Sequence, residues 1–345
     1  MVPRSVGPWE VLSVIGRGGI GVVYRARHRQ TGRLAALKLL GPSPVVDPRS
    51  ARRLAREFEV LRGLDHPNVV RVYEAGVSEG YSYLAMELVE GLDLRAFLSP
   101  ALDDAGGVLP PCADPSLLST SGPPADLGAG AIRALATMMD EPETAPSEFH
   151  PPVPAAPAPG EVSRRGPLPA EAQAGLNLPR RLERLGGALR QVLLALEYLH
   201  GRGLVHRDLK PSNIMVDDRR RARIMDFGLV KFAEDAVEPL TGTGRVVGTY
   251  RYMSPEQAQG HPVDGRADLY SLGVILYELL AAAPPFTSAD PASLWHEILH
   301  RRPTPLVEIN PGVDPDLAAI AARCLEKDPG ARFGSAREIL GVLAR

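Results

Sequence analysis

Short runs of strand-forming residues follow one another through the first ninety positions of the chain. Apolar, β-branched and aromatic residues dominate each run, and glycine or polar residues separate the runs, which is the pattern of a β-sheet. The predicted strands are Trp9 to Val23 with a glycine-dense turn inside it, Leu34 to Leu40, Val69 to Val77 and Tyr81 to Leu88. Residues 48 to 63 differ, because Leu54, Phe58 and Leu61 recur at helical spacing and predict one amphipathic helix.

The last 165 residues are patterned mainly for helices. Leucines and a valine recur every three or four residues between about Arg181 and Arg202, so this stretch predicts a helix with one buried face. Ile214 to Val216 and Arg223 to Met225 indicate two short strands. A helix beginning near Asp264 carries an apolar run to Ala283, and one short helix ends the chain. A β-rich part therefore precedes a helical part.

The composition changes between residues 99 and 180. This segment holds 16 of the 34 prolines and one aromatic residue, Phe149. It has little apolar surface to offset the conformational entropy lost on ordering, so we predict that it is mostly disordered, apart from a short helix near Ile132 to Met139. A flexible insertion of this length costs only about 2 kcal/mol more to close than a ten-residue loop. Its proline runs serve either as an inert linker, which we favour, or as a docking segment for a partner.

Charge and cysteine content limit the partners and the compartment. The net charge of −2 and the pI near 6.5 give no basic field for nucleic acid. Cys112 and Cys324 fit no metal or disulfide spacing, which favours a reducing, cytoplasmic location. The N-terminus lacks a signal-peptide core, and the apolar run from Leu269 to Ala283 is too short to span a membrane. We expect no membrane segment in this chain.

Phosphoryl-transfer chemistry is concentrated in His206-Arg207-Asp208-Leu209-Lys210-Pro211-Ser212-Asn213. Asp208 can accept a proton from a hydroxyl, Lys210 can neutralise phosphate charge, and the amide oxygen of Asn213 suits Mg²⁺. Asp226, in Asp-Phe-Gly, supplies a second ligand for the metal. A charged surface turn is the plain alternative for the first motif, but it does not account for the second one at this distance.

Together the two motifs resemble the H-R-D-x-x-x-x-N and D-F-G motifs of protein kinases. The resemblance covers residues 9–98 and 181–345 and is closest to the bacterial eukaryotic-like serine/threonine protein kinases. It implies an α+β, two-lobed fold. A small β-rich N-lobe with one helix would span residues 1–88, and a larger, mainly helical C-lobe would span residues 89–345, interrupted by the insertion.

The glycine-rich turn Gly16-Arg17-Gly18-Gly19-Ile20-Gly21 is a weak signal alone, since an ordinary hairpin explains it equally well. A dinucleotide-binding fold would place a helix after it, whereas Val22 to Ala26 reads as a strand. The resemblance assigns ATP contacts to this turn, to the strand containing Lys38, to the hinge between the lobes, and to a methionine floor under the adenine. These residues are Ile15, Gly16, Gly18, Gly19, Gly21, Val23, Ala36, Lys38, Met86, Glu87, Val89 and Met215.

Lys38 lies in an apolar run and needs an anionic partner or exposure to water. By resemblance it binds the α- and β-phosphates and pairs with a glutamate of the predicted helix. We choose Glu57, nine residues before His66, and keep Glu59 as the fallback. Asp93, after the hinge, either reaches the ribose or caps a helix.

Regulatory and structural roles also follow from the resemblance. Arg207 would pair with a phosphate on the activation segment at Thr241 or Thr243, and Thr249 would support the catalytic loop and the substrate. Structural roles fall to Asp268, which would brace the catalytic loop, and to Glu256 and Arg332, which would pair with each other.

The resulting hypothesis is a serine/threonine protein kinase that uses ATP with Mg²⁺ or Mn²⁺, acts on protein hydroxyls and phosphorylates its own activation loop. A pseudokinase-type binding scaffold is the alternative, although neither Lys38, Asp208 nor Asp226 is missing. A small-molecule phosphotransferase is a further rival, but such enzymes typically lack the arginine of H-R-D and the segment ending in Pro-Glu. The sequence leaves the protein substrate and the oligomeric state open.

Overall fold

A computed structural model describes residues 4–18, 21–42, 61–78, 81–104, 165–226 and 250–344. All structural statements below concern these residues. The predicted helix over 48–63 lies outside them except at its end, where residues 61 and 62 are helical.

The N-lobe is a six-stranded antiparallel sheet in the order β1-β2-β3-β4-β6-β5. Its strands are β1 Ser5–Val6, β2 Trp9–Gly18, β3 Gly21–His28, β4 Leu34–Pro42, β5 Val72–Ser78 and β6 Tyr81–Met86. The alternation along β4 assigns its side chains to two faces. Ala35 and Leu37 pack into a cluster on one face, whereas Ala36 belongs to the main core on the other. Lys38 shares the face of Ala36, because side chains two residues apart point the same way.

A carboxylate joins three strands of this sheet. Glu74 accepts hydrogen bonds from Trp9 Nε1 at 3.1 Å and from the Tyr83 hydroxyl at 2.7 Å. The Trp9 side chain is almost completely buried. Burial and the neighbouring carboxylate raise the pKa of Tyr83, so its hydroxyl remains a donor. The start of β2 is thereby fastened to β5 and β6.

Helices and one small sheet form the C-lobe. The sheet has the order β7-β8-β9, with β7 Gly91–Asp93, β8 Ile214–Asp217 and β9 Ala222–Ile224. The helices are α1 Leu94–Phe97, α2 Ala101–Asp104, α3 Ala170–Leu176, α4 Pro179–His200, α5 Pro255–Ala258, α6 Gly265–Ala281, α7 Pro291–His300, α8 Leu306–Ile309, α9 Pro315–Cys324 and α10 Ala336–Val342.

Helix α6 is the centre of this lobe. It is buried on nearly every side, as expected for a helix whose sequence is apolar all round. Gly273 lets α9 approach, because a Cβ built there would lie 2.6 Å from the Cβ of Cys324. Asp268 is a fully buried carboxylate in the first turn of α6. A buried carboxylate requires hydrogen-bond partners, and those of Asp268 are backbone amides of the loop after α4.

The two sides of the predicted insertion meet at Arg181. This buried side chain donates to three backbone carbonyls at 2.7–2.8 Å, those of Leu98, Leu176 and Leu279. Residue 98 precedes the insertion and residue 176 follows most of it. The ends of α1 and α3 are therefore held together by the start of α4.

Both ends of the predicted insertion, 99–180, contain helices in the described part of the chain. Residues 101–104 form α2, and residues 170–176 form α3. Leu168 N donates to Ile309 O at 2.9 Å, and Arg165 Nη1 donates to Pro284 O at 3.1 Å, so this flank belongs to the folded C-lobe. The predictions of disorder and of a helix near 132–139 concern residues 105–164, which lie outside the described part.

The α+β, two-lobed fold predicted from the sequence is confirmed. No helix in the described ranges is long and apolar enough to cross a membrane.

Candidate active site

The loop between α4 and β8 gathers three of the predicted catalytic side chains. Lys210 Nζ lies 2.8 Å from Asp208 Oδ2. Asn213 Nδ2 donates to the backbone carbonyl of Asp208 at 2.8 Å and to its Oδ2 at 3.2 Å. Pro211 begins the 3₁₀ turn that ends at Asn213, which brings the amide back over Asp208. The arrangement presents one carboxylate oriented by a cation and an amide.

The Asp268 carboxylate accepts hydrogen bonds from the backbone of this loop. Its Oδ2 accepts from His206 N at 2.8 Å, and its Oδ1 accepts from Arg207 N at 2.9 Å. His200 Nε2 lies 2.8 Å from Oδ2. Arg207 has a φ of 64°, an unfavourable conformation for a non-glycine residue that persists only where neighbouring contacts enforce it. The buried carboxylate supplies such contacts immediately before Asp208.

Gln257 adds a contact that the sequence analysis missed. Its Nε2 donates to Arg207 O at 2.9 Å, while its Oε1 accepts from Ser254 N at 3.1 Å. Ser254 and Gln257 form a capping box at the start of α5. The Ser-x-x-Gln spacing is the sequence signal for this box, although the bond to Arg207 depends on tertiary structure. The segment that ends in Pro-Glu is thus bonded directly to the catalytic loop.

Lys38 of the N-lobe reaches Asp226 of the C-lobe. Their Nζ and Oδ1 atoms are 3.0 Å apart, and both side chains are largely shielded from water. The contact is an ion pair without hydrogen-bond geometry, because the buried Oδ1 has no hydrogen-bond partner. Asp226 also has a positive φ, of 56°. The two lobes meet through opposite charges at this point.

Asp226 is tied to the catalytic loop through the residue before it. Met225 N donates to Asn213 O at 2.9 Å, and Met225 O lies 3.0 Å from His206 Nε2. Lys38, Asp208, Asn213 and Asp226 therefore surround one region between the lobes. The sequence separates the first and last of them by 188 positions, 38 to 226.

The donor set in this region suits a hard divalent cation. The side-chain NH₂ group of Asn213 donates to Asp208. The side-chain carbonyl oxygen of Asn213 is then available as a metal ligand. Asp226 Oδ1 is buried without a hydrogen bond. Mg²⁺ and Mn²⁺ both accept such oxygen ligands. In the described residues no group of three His, Cys, Asp or Glu side chains forms an alternative metal cluster.

The apolar residues predicted to contact adenine lie in the N-lobe sheet, the hinge and β8. Ala36 pairs with Met86 across β4 and β6, and both are buried. Ile15, Val23 and Val89 pack against the same core and are partly exposed. Met215 lies on β8 opposite Asp93. The Glu87 amide is bonded to Arg71 O at 2.8 Å, and its carboxylate pairs with Arg223 at 3.2 Å.

The glycine turn joins β2 to β3, so a strand follows it and the dinucleotide-binding alternative is excluded. Gly16 faces Val23 and Gly18 faces Gly21 in this hairpin. Asp93 accepts from Ala96 N at 2.8 Å, which confirms the helix-cap alternative for this residue, whereas its contact with the ribose stays a prediction. Several predicted site residues lie outside the described ranges: Gly19, Glu57 with its fallback Glu59, Thr241, Thr243 and Thr249.

Glu256 and Arg332 form a bidentate ion pair, with N–O distances of 2.7 and 2.8 Å. Both groups are buried, and Arg332 is fully enclosed. Arg332 also donates to the carbonyls of Arg266, Glu326 and Lys327. The pair fixes α5, which carries Gln257, against the end of the C-lobe.

Family comparisons agree with this geometry. The family model described as "Protein kinase domain" matches residues 9–109 and 177–342. A second model, described as "Phosphotransferase enzyme family", matches residues 113–237, which include the catalytic loop.

Two curated relatives match nearly the whole chain. The probable serine/threonine-protein kinase SCO3848 of Streptomyces coelicolor is 32% identical over 98% of this chain and 40% of its own length. Serine/threonine-protein kinase PknB of Mycobacterium tuberculosis is 29% identical over 98% of the chain and 42% of its own length. The chain thus spans about two fifths of these relatives.

Among solved structures, the kinase domain of Mycobacterium tuberculosis PknI matches with a TM-score of 0.58. The sequence identity is 24%, and the match covers 100% of this chain and 99% of that one. At this identity the likeness concerns the fold.

Proposed function

This chain belongs to the protein kinase domain family, and on that premise we propose that it is an ATP-dependent serine/threonine protein kinase. The observation that carries the proposal is the convergence of Lys38, Asp208, Asn213 and Asp226 between the lobes. The curated relatives named as serine/threonine-protein kinases support it.

In the proposed mechanism, adenine lies against Ala36 and Met86, and Lys38 binds the phosphates. Lys38 is already held near the site by Asp226, so nucleotide binding needs only a local exchange of partners. Asp226 and the Asn213 oxygen would hold Mg²⁺ or Mn²⁺, which neutralises phosphate charge when bound. These residues supply positioning and electrostatic stabilisation, the main sources of rate in phosphoryl transfer.

Asp208 receives the proton of the substrate hydroxyl as the hydroxyl oxygen bonds to the γ-phosphorus and the bond to ADP breaks. Lys210, 2.8 Å from this carboxylate, stabilises negative charge on the transferred group. Proton transfer of this kind contributes about 10²–10⁴-fold to the rate. The lysine two residues after Asp208 supports serine and threonine as acceptors, by resemblance to that branch of the family.

We also propose control by phosphorylation at Thr241 or Thr243. Arg207 directly precedes Asp208, and its backbone is bonded to Asp268 and Gln257. A phosphate bound by the Arg207 guanidinium would therefore influence the position of the catalytic loop. Phosphosite mapping after incubation with Mg-ATP tests this step.

The test of the main proposal is phosphate transfer from Mg-ATP to a generic basic protein by the wild-type chain, Asp208→Asn and Asp218→Asn. Asp218 is an exposed aspartate on the β8–β9 turn and serves as the matched control. We expect Asp208→Asn to lower kcat by about 10²–10⁴-fold while nucleotide binding persists. Asp218→Asn should behave as the wild type.

Two outcomes would contradict the proposal. Absence of transfer by the wild type despite ATP binding would favour the pseudokinase-type scaffold. Transfer to small-molecule hydroxyls, but not to any protein, would favour the small-molecule phosphotransferase, whose family model matches residues 113–237.

A further inference from the structure

Helix α7 carries two histidines one turn apart, His296 and His300. Side chains at positions i and i+4 lie on the same face of a helix. The residues His296-Glu297-Ile298-Leu299-His300 also have the H-E-x-x-H order in which two helical histidines bind zinc. The kinase proposal uses none of these residues.

The distance between the two rings suits chelation of one ion. The ring centroids are 5.1 Å apart, with an angle of 50° between the ring planes. A metal about 2.0–2.1 Å from one nitrogen of each imidazole lies roughly 3.2 Å from each centroid, so a tetrahedral angle places the centroids about 5 Å apart. The observed spacing agrees with that value without any change of backbone.

Solvent reaches both imidazoles of the pair. His296 is half-buried and His300 is exposed, so an ion can reach them from solvent.

The helix that carries the pair is firmly seated. Leu294 and Ile298 pack with Phe286, and Tyr250 and Ala258 pack against this cluster. Trp295 makes an edge contact with Tyr250, with centroids 6.1 Å apart. The opposite face of α7 is therefore fixed, and the histidine face needs little ordering when it binds an ion.

The position of Glu297 distinguishes this histidine pair from a hydrolytic zinc site. Its carboxylate is buried, pairs with Arg301 Nη1 at 3.1 Å and accepts from Ser288 N at 3.3 Å. It faces away from the histidine side and is not placed to activate a metal-bound water. The chemistry of the pair is binding rather than peptide hydrolysis.

We propose that His296 and His300 chelate one divalent transition-metal ion, with solvent completing its coordination. Imidazole ligands suit Zn²⁺, Ni²⁺ and Cu²⁺, whereas Mg²⁺ prefers oxygen. Within the described ranges no third His, Cys, Asp or Glu completes a cluster of three, so the site keeps open coordination positions. This site is separate from the oxygen ligands Asn213 and Asp226.

The test is calorimetric titration of Ni²⁺ into the tag-free chain at neutral pH with saturating Mg²⁺, which occupies the oxygen ligands. The wild type should bind one equivalent. His296→Asn and His300→Asn should each weaken binding by about tenfold or more, because each removes one of two ligands. His261→Asn is the matched control, since His261 is exposed and lies outside α7.

Circular dichroism should show the same fold for all four proteins, because the substituted histidines are solvent-accessible. Two results would overturn the proposal: no stoichiometric binding by the wild type, or wild-type affinity in both α7 variants. Neither result depends on phosphate transfer, so the kinase proposal and the metal site can fail separately.

Discussion

The buried ion pair of Glu256 and Arg332 should contribute strongly to the stability of the C-lobe. Removing one partner leaves the other charge enclosed without compensation, which costs about 3–5 kcal/mol. We therefore expect Glu256→Ala to lower the free energy of unfolding by that amount in urea titrations. Activity should fall as well, since α5 carries the Gln257 bond to the catalytic loop.

An exposed pair provides the control for Glu256→Ala. Asp65 and Arg71 form an ion pair whose side chains are 79% and 56% exposed. Asp65→Ala should lower the free energy of unfolding far less than Glu256→Ala, because water screens such pairs. Equal costs for the two variants would mean that the Glu256 pair is not buried in solution.

Lys327 gives a pH dependence with a definite sign. Burial, and then the charge of Arg332, lower the pKa of Lys327 from its ordinary value of 10.5 to about 7. Between these values the unfolded chain holds a proton that the folded chain does not. Folding stability should therefore rise with pH from about 7 to 10.5, by up to about 1.4 kcal/mol per pH unit from this group.

Urea unfolding of the wild type and of Lys327→Met at pH 7 and pH 9 measures this effect. The buried ammonium also donates to Glu297 O and Ile298 O at the end of α7, so the variant changes absolute stability too. The informative quantity is the difference between the two pH slopes. Parallel slopes would show that Lys327 keeps its ordinary pKa in the folded state.

The sequence reveals single residues when their chemistry is local. Asp208, Lys210 and Asn213 are recognisable because six positions contain the whole constellation. Gln257 was missed because its acceptor, the Arg207 carbonyl, lies fifty positions away in the sequence. The partner of Lys38 predicted from the family, Glu57, stays a prediction, and Asp226 is the carboxylate that the structure places there.

Two helical glycines illustrate how packing decides the effect of one methyl group. In α6, a Cβ at Gly273 would meet Cys324 Cβ at 2.6 Å and Leu325 Cγ at 3.3 Å. In α4, a Cβ at Gly187 meets nothing within 4 Å. The same Gly→Ala substitution should therefore have opposite signs in the two helices.

We expect Gly273→Ala to destabilise the protein by about 1–3 kcal/mol through overpacking between α6 and α9. Gly187→Ala should stabilise it by about 0.5–1 kcal/mol, since alanine is the better helix former. Thermal unfolding of both variants provides the measurement. A stabilising Gly273→Ala would mean that α9 can move away without cost.

Strands and helices were predictable where periodic patterns were long, as in α4, predicted over about 181–202 and observed at Pro179–His200. The flank 165–180 was assigned to the insertion because its composition is rich in proline and alanine. Its order comes from distant contacts instead, including Leu168 N to Ile309 O. Composition indicates the conformational entropy that a segment loses on ordering. It does not reveal the distant contacts that offset this loss.

The whole chain should tolerate removal of residues 105–164. Arg181 donates to the Leu98 and Leu176 carbonyls, one on each side of that segment. These hydrogen bonds hold the two flanks of the segment together. Replacing these 60 residues with about twelve glycines and serines should stabilise the protein by about 1–2 kcal/mol through the shorter loop. Urea unfolding and phosphate transfer would measure the effect, and loss of either would show that the segment contributes to the fold or the site.

The placement of Trp9 gives the molecule a natural pair of optical reporters. The chain has two tryptophans. One indole is enclosed in the N-lobe sheet on Glu74, and the other, Trp295, lies half-shielded in α7 of the C-lobe. Replacing either tryptophan by phenylalanine leaves one tryptophan in the chain. Tryptophan fluorescence can then follow the unfolding or ligand response of each lobe separately.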